Sequence, residues 1–232
     1  MIVAFRSILC DIVIAISTIF LAIICIPLGY NKHCLRFIQY LWAKIVINSG
    51  KYICGIDYKI IGIENIKTEN RKIICCRHQS MWETAFLLTM FKKPSFIIKK
   101  ELLKIPFYGW HLKKMGMIPV KRRGGKVAMQ EMIEAIIERI NQDYTVIIFP
   151  EGTRNKPDVK PKYNFSFLGI FKEMKAKNIE IIPTILNSGI FWPKNSFFNK
   201  KSGVVELEFR QSIIYKDQEI KQLSKEIEAE ML

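Results

Sequence analysis

The hydrophobic pattern changes character along the chain. From Ile12 to Leu28 the run IVIAISTIFLAIICIPL carries no charge, and at about 1.5 Å per helical residue it nearly crosses a hydrocarbon core of roughly 30 Å. Asp11 and Pro27 stand at its ends, so residues 1–30 are expected to form a membrane-embedded helix, either spanning the bilayer or lying deep in one leaflet. After a polar break, CLRFIQYLWAKIVINSG places Leu35, Ile38, Leu41, Trp42, Ile45 and Val46 on one side at helical spacing. Gly50 is the expected stop, and residues 31–52 read as an amphipathic helix. Tyr40, Trp42 and Lys44 suit a helix at the membrane interface, although a core-facing helix has the same pattern.

Downstream, short β-prone runs alternate with helical patterns, the signature of an α/β domain, here 53–216. The expected strands are Tyr58 to Ile61, Lys72 to Cys76, Ser95 to Lys99, Met117 to Lys121, Thr145 to Phe149, Ile179 to Leu186 and Val204 to Arg210. Between Lys126 and Asn141 the positions Met132, Ile133, Ile136, Ile137 and Ile140 make a core-facing helical stripe, while Glu131, Glu134, Glu138 and Arg139 face water. Residues 217–232 read as a solvated, charge-rich C-terminal helix whose dipole Asp217 and Glu219 favour.

Charge narrows the partners. With 36 Lys and Arg against 21 Asp and Glu, the 232-residue chain carries a formal +15, which favours anionic lipid, phosphate-bearing substrates or nucleic acid. Its length suits one sizeable core. The cysteines, Cys10, Cys25, Cys34, Cys54, Cys75 and Cys76, form no CxxC pair and no His-linked metal spacing, which argues against a disulfide framework and against a zinc site. A cleaved signal peptide fits poorly, since Arg6 is the lone n-region cation and no small-x-small site follows the apolar run. A lipoprotein signal fits poorly too, because Ile24 precedes Cys25. Lys32, Arg36, Lys44 and Lys51 follow the run, whereas Arg6 is offset by Asp11, so the positive-inside rule puts the rest of the chain in the cytoplasm.

Two phrases carry chemistry. RHQSMWET, Arg77 to Thr84, follows the buried-looking strand KIICC. His78 and Glu83, five apart, would diverge by about 140° on one helix, so they converge only if His78 lies in the strand-to-helix turn and Glu83 in the first helical turn. A His so partnered can take a proton from an alcohol while the carboxylate fixes its tautomer. FPEGTR, Phe149 to Arg154, follows the strand YTVIIF. Gly152 permits close backbone approach, Thr153 offers a hydroxyl, and Arg154 can grip phosphate through two parallel hydrogen bonds.

Together these phrases resemble the 1-acylglycerol-3-phosphate acyltransferase family, marked by an H-x4-D box and an E-G-T-R box about seventy residues later. KKELLKIPFYGW, Lys99 to Trp110, GMIPVKR, Gly116 to Arg122, and IIPTILNSGIFWP, Ile181 to Pro193, resemble its other blocks, so the likeness runs from about residue 50 to 210. It implies a glycerolipid acyltransferase-like fold, α/β with a single mixed sheet flanked by helices behind the membrane helix and the amphipathic helix.

The resemblance also implies His78 as base and Glu83 as its orienting partner. Gly152, Thr153 and Arg154 would form part of the phosphate site, Lys100 and Arg122 would add phosphate or positioning contacts, and Glu151 would bind substrate or order its loop. Glu83 departs from the usual Asp by one methylene, and the Lys-Gly pair often found after EGTR is missing, so the rim of the phosphate site differs.

The implied activity is O-acyl transfer from acyl-CoA or acyl carrier protein to lysophosphatidate, making phosphatidate at the bacterial inner (cytoplasmic) membrane from its cytoplasmic side. Membrane lipids would be partners, with no cofactor, metal or nucleic acid. Other lyso-lipid acceptors, such as a lyso-ornithine lipid or lysophosphatidylglycerol, are the alternative. A non-catalytic basic membrane protein is the reading from another class, and metal-dependent hydrolysis lacks HExxH or comparable ligand spacing.

Overall fold

The run Arg71–Cys76, in which every residue after Arg71 is buried, lies in the middle of a sheet, as a strand covered on both faces must. The structure is a computed structural model that describes residues 1–28, 31–67, 71–121, 124–171, 179–215 and 218–232. Its strands are β1 (Ile56–Ile61), β2 (Arg71–Cys76), β3 (Pro94–Lys99), β4 (Ile118–Val120), β5 (Thr145–Ile148), β6 (Ile179–Leu186), β7 (Gly203–Phe209) and β8 (Ile213–Ile214). They form one sheet in the order β1-β7-β6-β2-β5-β3-β4, with β8 beside β6.

From β6 to β4 the neighbours are parallel. β7 and β8 run antiparallel to β6, and β1 is parallel to β7. The sheet is therefore mixed, single and flanked by helices, as the resemblance implied. The two-residue β8 escaped the sequence reading because so short a strand carries no periodicity.

Alternation along β2 divides the core. Ile74 and Cys76 join the layer built with α2 (Lys32–Cys54) and α3 (Trp82–Met90), whereas Ile73 and Cys75 join the layer of α5 (Gly125–Asn141). In α5 the residues Met132, Ile133, Ile136 and Ile140 are buried as expected, and α4 (Tyr108–Lys114) lies between β3 and β4 in sequence. The four-residue α6 (Ser188–Phe191) follows β6. The C-terminal α7 (Ile220–Glu230) is less solvated than its charges suggested: Leu223 and Ile227, with Met231 just beyond, are fully buried in the α5 layer at fourfold spacing. Asp217, expected to favour its dipole, lies outside the described residues, and Glu219 caps the helix without a side-chain hydrogen bond.

Gly50 does not stop α2. The helix starts on Asn31, whose side chain accepts the His33 and Cys34 N–H groups, and ends at Gly55 in the left-handed region (φ 72°). Gly50 instead lies inside it, where a Cβ would sit 3.0 Å from the Trp192 ring, so the missing side chain serves a close approach.

Helix α1 (Ile2–Leu28) packs along α2, buries a narrow stripe, Ser7, Cys10, Ile14 and Leu21, and exposes Val3, Phe5, Ile12, Ile16, Ile19, Phe20 and Ile23. Its Ile2–Cys25 stretch is long and apolar enough to cross a membrane. Polar contacts hold its first half on the α/β body. Lys200 Nζ donates to Asp11 Oδ2 at 2.7 Å, the Lys200 N–H donates to Ser7 Oγ at 2.9 Å, and Arg6 Nε donates to the Ile53 carbonyl.

Candidate active site

After β2 the chain turns sharply into α3. The Arg77 N–H still donates to the Thr184 carbonyl at 3.0 Å, extending the pairing with β6. Ser80 Oγ then accepts the Trp82 N–H at 2.7 Å, a side-chain turn that satisfies a donor at the helix start. His78 thus lies in the turn and Glu83 in the first helical turn, the arrangement that lets residues five apart converge.

His78 Nδ1 lies 2.9 Å from Glu83 Oε1. The same oxygen accepts the Gln79 and Ser80 N–H groups, each at 2.7 Å, and Oε2 accepts Ser80 Oγ at 3.0 Å and Ser188 Oγ at 2.7 Å. Glu83 is fully buried. Burial pushes its carboxyl up, but the bond and charge of His78, the Ser188 hydroxyl and the Ser80 N–H outweigh that and hold it below the usual carboxylate range. An ionised Glu83 requires a donor at Nδ1 of His78, and in the neutral imidazole that makes Nε2 the acceptor. The imidazole also stacks on Phe149, with ring centroids 4.0 Å apart and planes 14° apart, so both its position and its tilt are set.

The second phrase lies against the first. Glu151 Oε1 accepts the His78 N–H at 3.0 Å, Oε2 accepts Asn155 Nδ2 at 2.6 Å, and the Asn155 N–H donates to the His78 carbonyl at 2.9 Å. Burial raises the Glu151 carboxyl, against the lowering effect of the His78 N–H, Arg77 and Asn155. Gly152 has φ 63° with nothing within 4 Å of an added Cβ, so its need is conformational and the space beside it is open.

A cavity of about 1040 Å³ joins these parts. His78, Gly152, Thr153 and Arg154 line it, as do Thr18, Leu21, Ala22 and Cys25 of α1, Trp42 of α2, and a largely apolar wall that includes Phe96, Leu112, Met117 and Met132. Glu151 does not line it; its carboxylate is spent on the turn. Lys100 is exposed and also outside the lining, where Lys99 lies instead. Arg122 lies outside the described residues, and its neighbour Lys121 lines the cavity. Lys194 completes the polar end, with Nζ 3.4 Å from Thr153 Oγ1. Among the described residues no group of three or more His, Cys, Asp or Glu could hold a metal.

Nothing in the sequence by itself assigns a role to Ser188, Gln79 or Phe149. The one available signal was position: Ser188 falls in the NSGIFW stretch already matched to the fourth block, and Phe149 precedes the EGTR box directly.

The family model described as Acyltransferase matches residues 57–206, which contain every part of this site except the α1 and α2 walls. The chain belongs to the acyltransferase family. Among similar acyltransferases, the 1-acyl-sn-glycerol-3-phosphate acyltransferase of Pseudomonas aeruginosa is 35% identical over 159 residues, 68% of this chain and 60% of that protein. The chloroplastic LPAT1 of Arabidopsis thaliana is 28% identical over 169 residues, 72% of this chain and 45% of that protein. The match thus spans less than two thirds of either relative. The crystal structure of PlsC, the 1-acyl-sn-glycerophosphate acyltransferase of Thermotoga maritima, superposes with a TM-score of 0.68 over 97% of this acyltransferase and 94% of that chain; at 22% identity the likeness is one of fold.

Proposed function

We propose that this acyltransferase moves an acyl group from a thioester, acyl-CoA or acyl-ACP, onto the 2-hydroxyl of lysophosphatidate, with His78 as general base. The observation that carries the reading is the His78–Glu83 pair set in the wall of a large apolar cavity whose polar end holds Arg154. Relatives named 1-acyl-sn-glycerol-3-phosphate acyltransferase support the acceptor.

In this reading Arg154, helped by Lys99, Lys121 or Lys194, grips the phosphate, and the acyl chains occupy the apolar wall. The 2-hydroxyl is then presented to Nε2 of His78. Nε2 takes the hydroxyl proton as the oxygen attacks the thioester carbonyl carbon, and Glu83 stabilises the imidazolium that forms. Collapse of the tetrahedral intermediate breaks the carbon–sulfur bond, and Nε2 returns the proton to the leaving thiolate. Ser80 is no nucleophile, because its hydroxyl is committed to Glu83 and to the Trp82 N–H. The exposed apolar faces of α1 and α2 seat the protein on the inner membrane with the α/β body on the cytoplasmic side, where its acyl donors are found.

The test is transfer of labelled acyl groups to lysophosphatidate in detergent micelles, offering CoA and acyl carrier protein thioesters separately, with His78→Ala alongside. Wild type is expected to make phosphatidate and the variant to lose roughly a thousandfold in kcat. Full activity in His78→Ala would refute the base, and inactivity of wild type with both donors would refute the acceptor.

A further inference from the structure

We propose that Ser188 is the positioning residue that allows a glutamate to orient the base at position 83, where the family box has aspartate. The inference rests on His78 being that base. Glu83 Oε1 receives its three donors, His78 Nδ1 and the Gln79 and Ser80 N–H groups, from the turn that leads into its own helix. Oε2 receives Ser80 Oγ from that turn and Ser188 Oγ from a distant one, 105 residues along the chain, at 2.7 Å.

Glutamate has one more rotatable bond than aspartate, and rotation about its last one would carry Oε1 away from His78. The Ser188 hydroxyl opposes that rotation from outside the turn. Both side chains are fully buried, so no bulk water replaces the hydroxyl when it is removed.

Ser188 cannot follow a shorter side chain. The Gly189 N–H donates to Gln79 Oε1 at 3.0 Å, the Trp192 N–H donates to the Ser188 carbonyl at 2.8 Å, and Asn187 Oδ1 accepts the Glu206 N–H at 2.9 Å. A Cβ on Gly189 would meet Gln79 Cβ at 2.9 Å, so the Gln79 side chain already packs closely against the Gly189 backbone. Aspartate at position 83 would withdraw the carboxylate by about one carbon–carbon bond, ~1.5 Å. The three donors of residues 78–80 converge on one carboxylate oxygen and would hold the shorter side chain on their own side, whereas Ser188, held by α6 and β7, would be left out of reach. The hydroxyl therefore matters to the glutamate and not to the aspartate.

The experiment is a double-mutant cycle on the full chain in micelles: wild type, Ser188→Ala, Glu83→Asp and the double variant, with His78→Ala as reference. Ser188→Ala alone is expected to lower kcat about tenfold with KM for lysophosphatidate unchanged, less than the roughly hundredfold that a 1 Å misplacement costs. In the Glu83→Asp background the same substitution should change kcat less than about twofold, the mark of coupling through a shared group. An equal loss in both backgrounds, as a general folding defect would give, or a loss expressed in KM, overturns the proposal. Full activity in His78→Ala would instead refute the base on which it rests, so the two failures are separable.

Discussion

Glu151 holds His78 by its main chain, with Oε1 on the His78 N–H at 3.0 Å, while Asn155, four residues further along, returns a hydrogen bond to the His78 carbonyl at 2.9 Å. The His78 peptide is thereby clamped on both sides by the loop that also carries Arg154. In the proposed reaction this one loop would both position the base and bind the phosphate, so damage to either job should show up in a different kinetic constant.

Glu151→Ala should therefore lower kcat about a hundredfold, as expected for a base displaced by roughly an ångström, and alter KM for lysophosphatidate little. Arg154→Ala should do the reverse, raising that KM at least about tenfold through loss of charge-assisted hydrogen bonds. Steady-state kinetics with varied lysophosphatidate checks both.

The depressed Glu83 carboxyl has a signed consequence for stability. Its folded pKa lies below the ordinary 4.5, so the folded state binds its proton less readily than the unfolded state does. The stability it contributes is present above that ordinary value and is lost as pH falls through the folded one. Glu83→Gln should be less stable than wild type at neutral pH, and the gap should close on acidification below 4.5. Thermal midpoints in detergent across that range measure it, and a gap independent of pH would contradict it.

Gly152 has φ 63° with open space around it, so Ala there meets no protein atom and incurs only the left-handed backbone penalty, about 1 kcal/mol. The loop can relieve that strain by shifting Thr153 and Arg154. Gly152→Ala is expected to fold, with a Tm within a few degrees of wild type, and to raise KM for lysophosphatidate.

The Asp11–Lys200 pair predicts an asymmetry. The Lys200 side chain is 1% exposed and that of Asp11 32%, so removing Asp11 leaves a buried cation with only the Ser196 carbonyl and the Trp192 ring beside it and no counter-charge, whereas removing Lys200 leaves a carboxylate that water can reach. Asp11→Ala should cost about 3 kcal/mol, or roughly 10 °C of Tm for a chain of this size. Lys200→Met, which keeps the volume, should cost clearly less. Thermal unfolding monitored by circular dichroism compares the two.

How far the sequence could be read depended on whether a signal was local. Strands such as β2 and β5, continuous apolar runs bounded by polar turns, were legible, and so was the stripe of α5. The convergence of His78 with Glu83 was legible because both belong to one turn. Ser188 was not, because its contact closes over 105 residues and nothing near it in the chain hints at a carboxylate. Gly50 misled for the same reason: a glycine near a helix end reads as a stop, and only the Trp192 ring packed against it discloses the other cause. The buried face of α7 was masked by its charges, since Leu223, Ile227 and Met231 are few but evenly spaced. Lys99 and Lys100 adjoin, and sequence alone could not tell which of two neighbouring exposed lysines borders the cavity.

Thr18, Leu21, Ala22 and Cys25 place α1 in the wall of the cavity itself. A truncated version beginning at α2, made to dispense with detergent, would lose one side of the chamber proposed to hold the acyl chains. The apolar helix and the cavity cannot be cut apart here, so a preparation that keeps the chamber whole has to keep the N-terminal helix and supply something oily to cover its exposed apolar face.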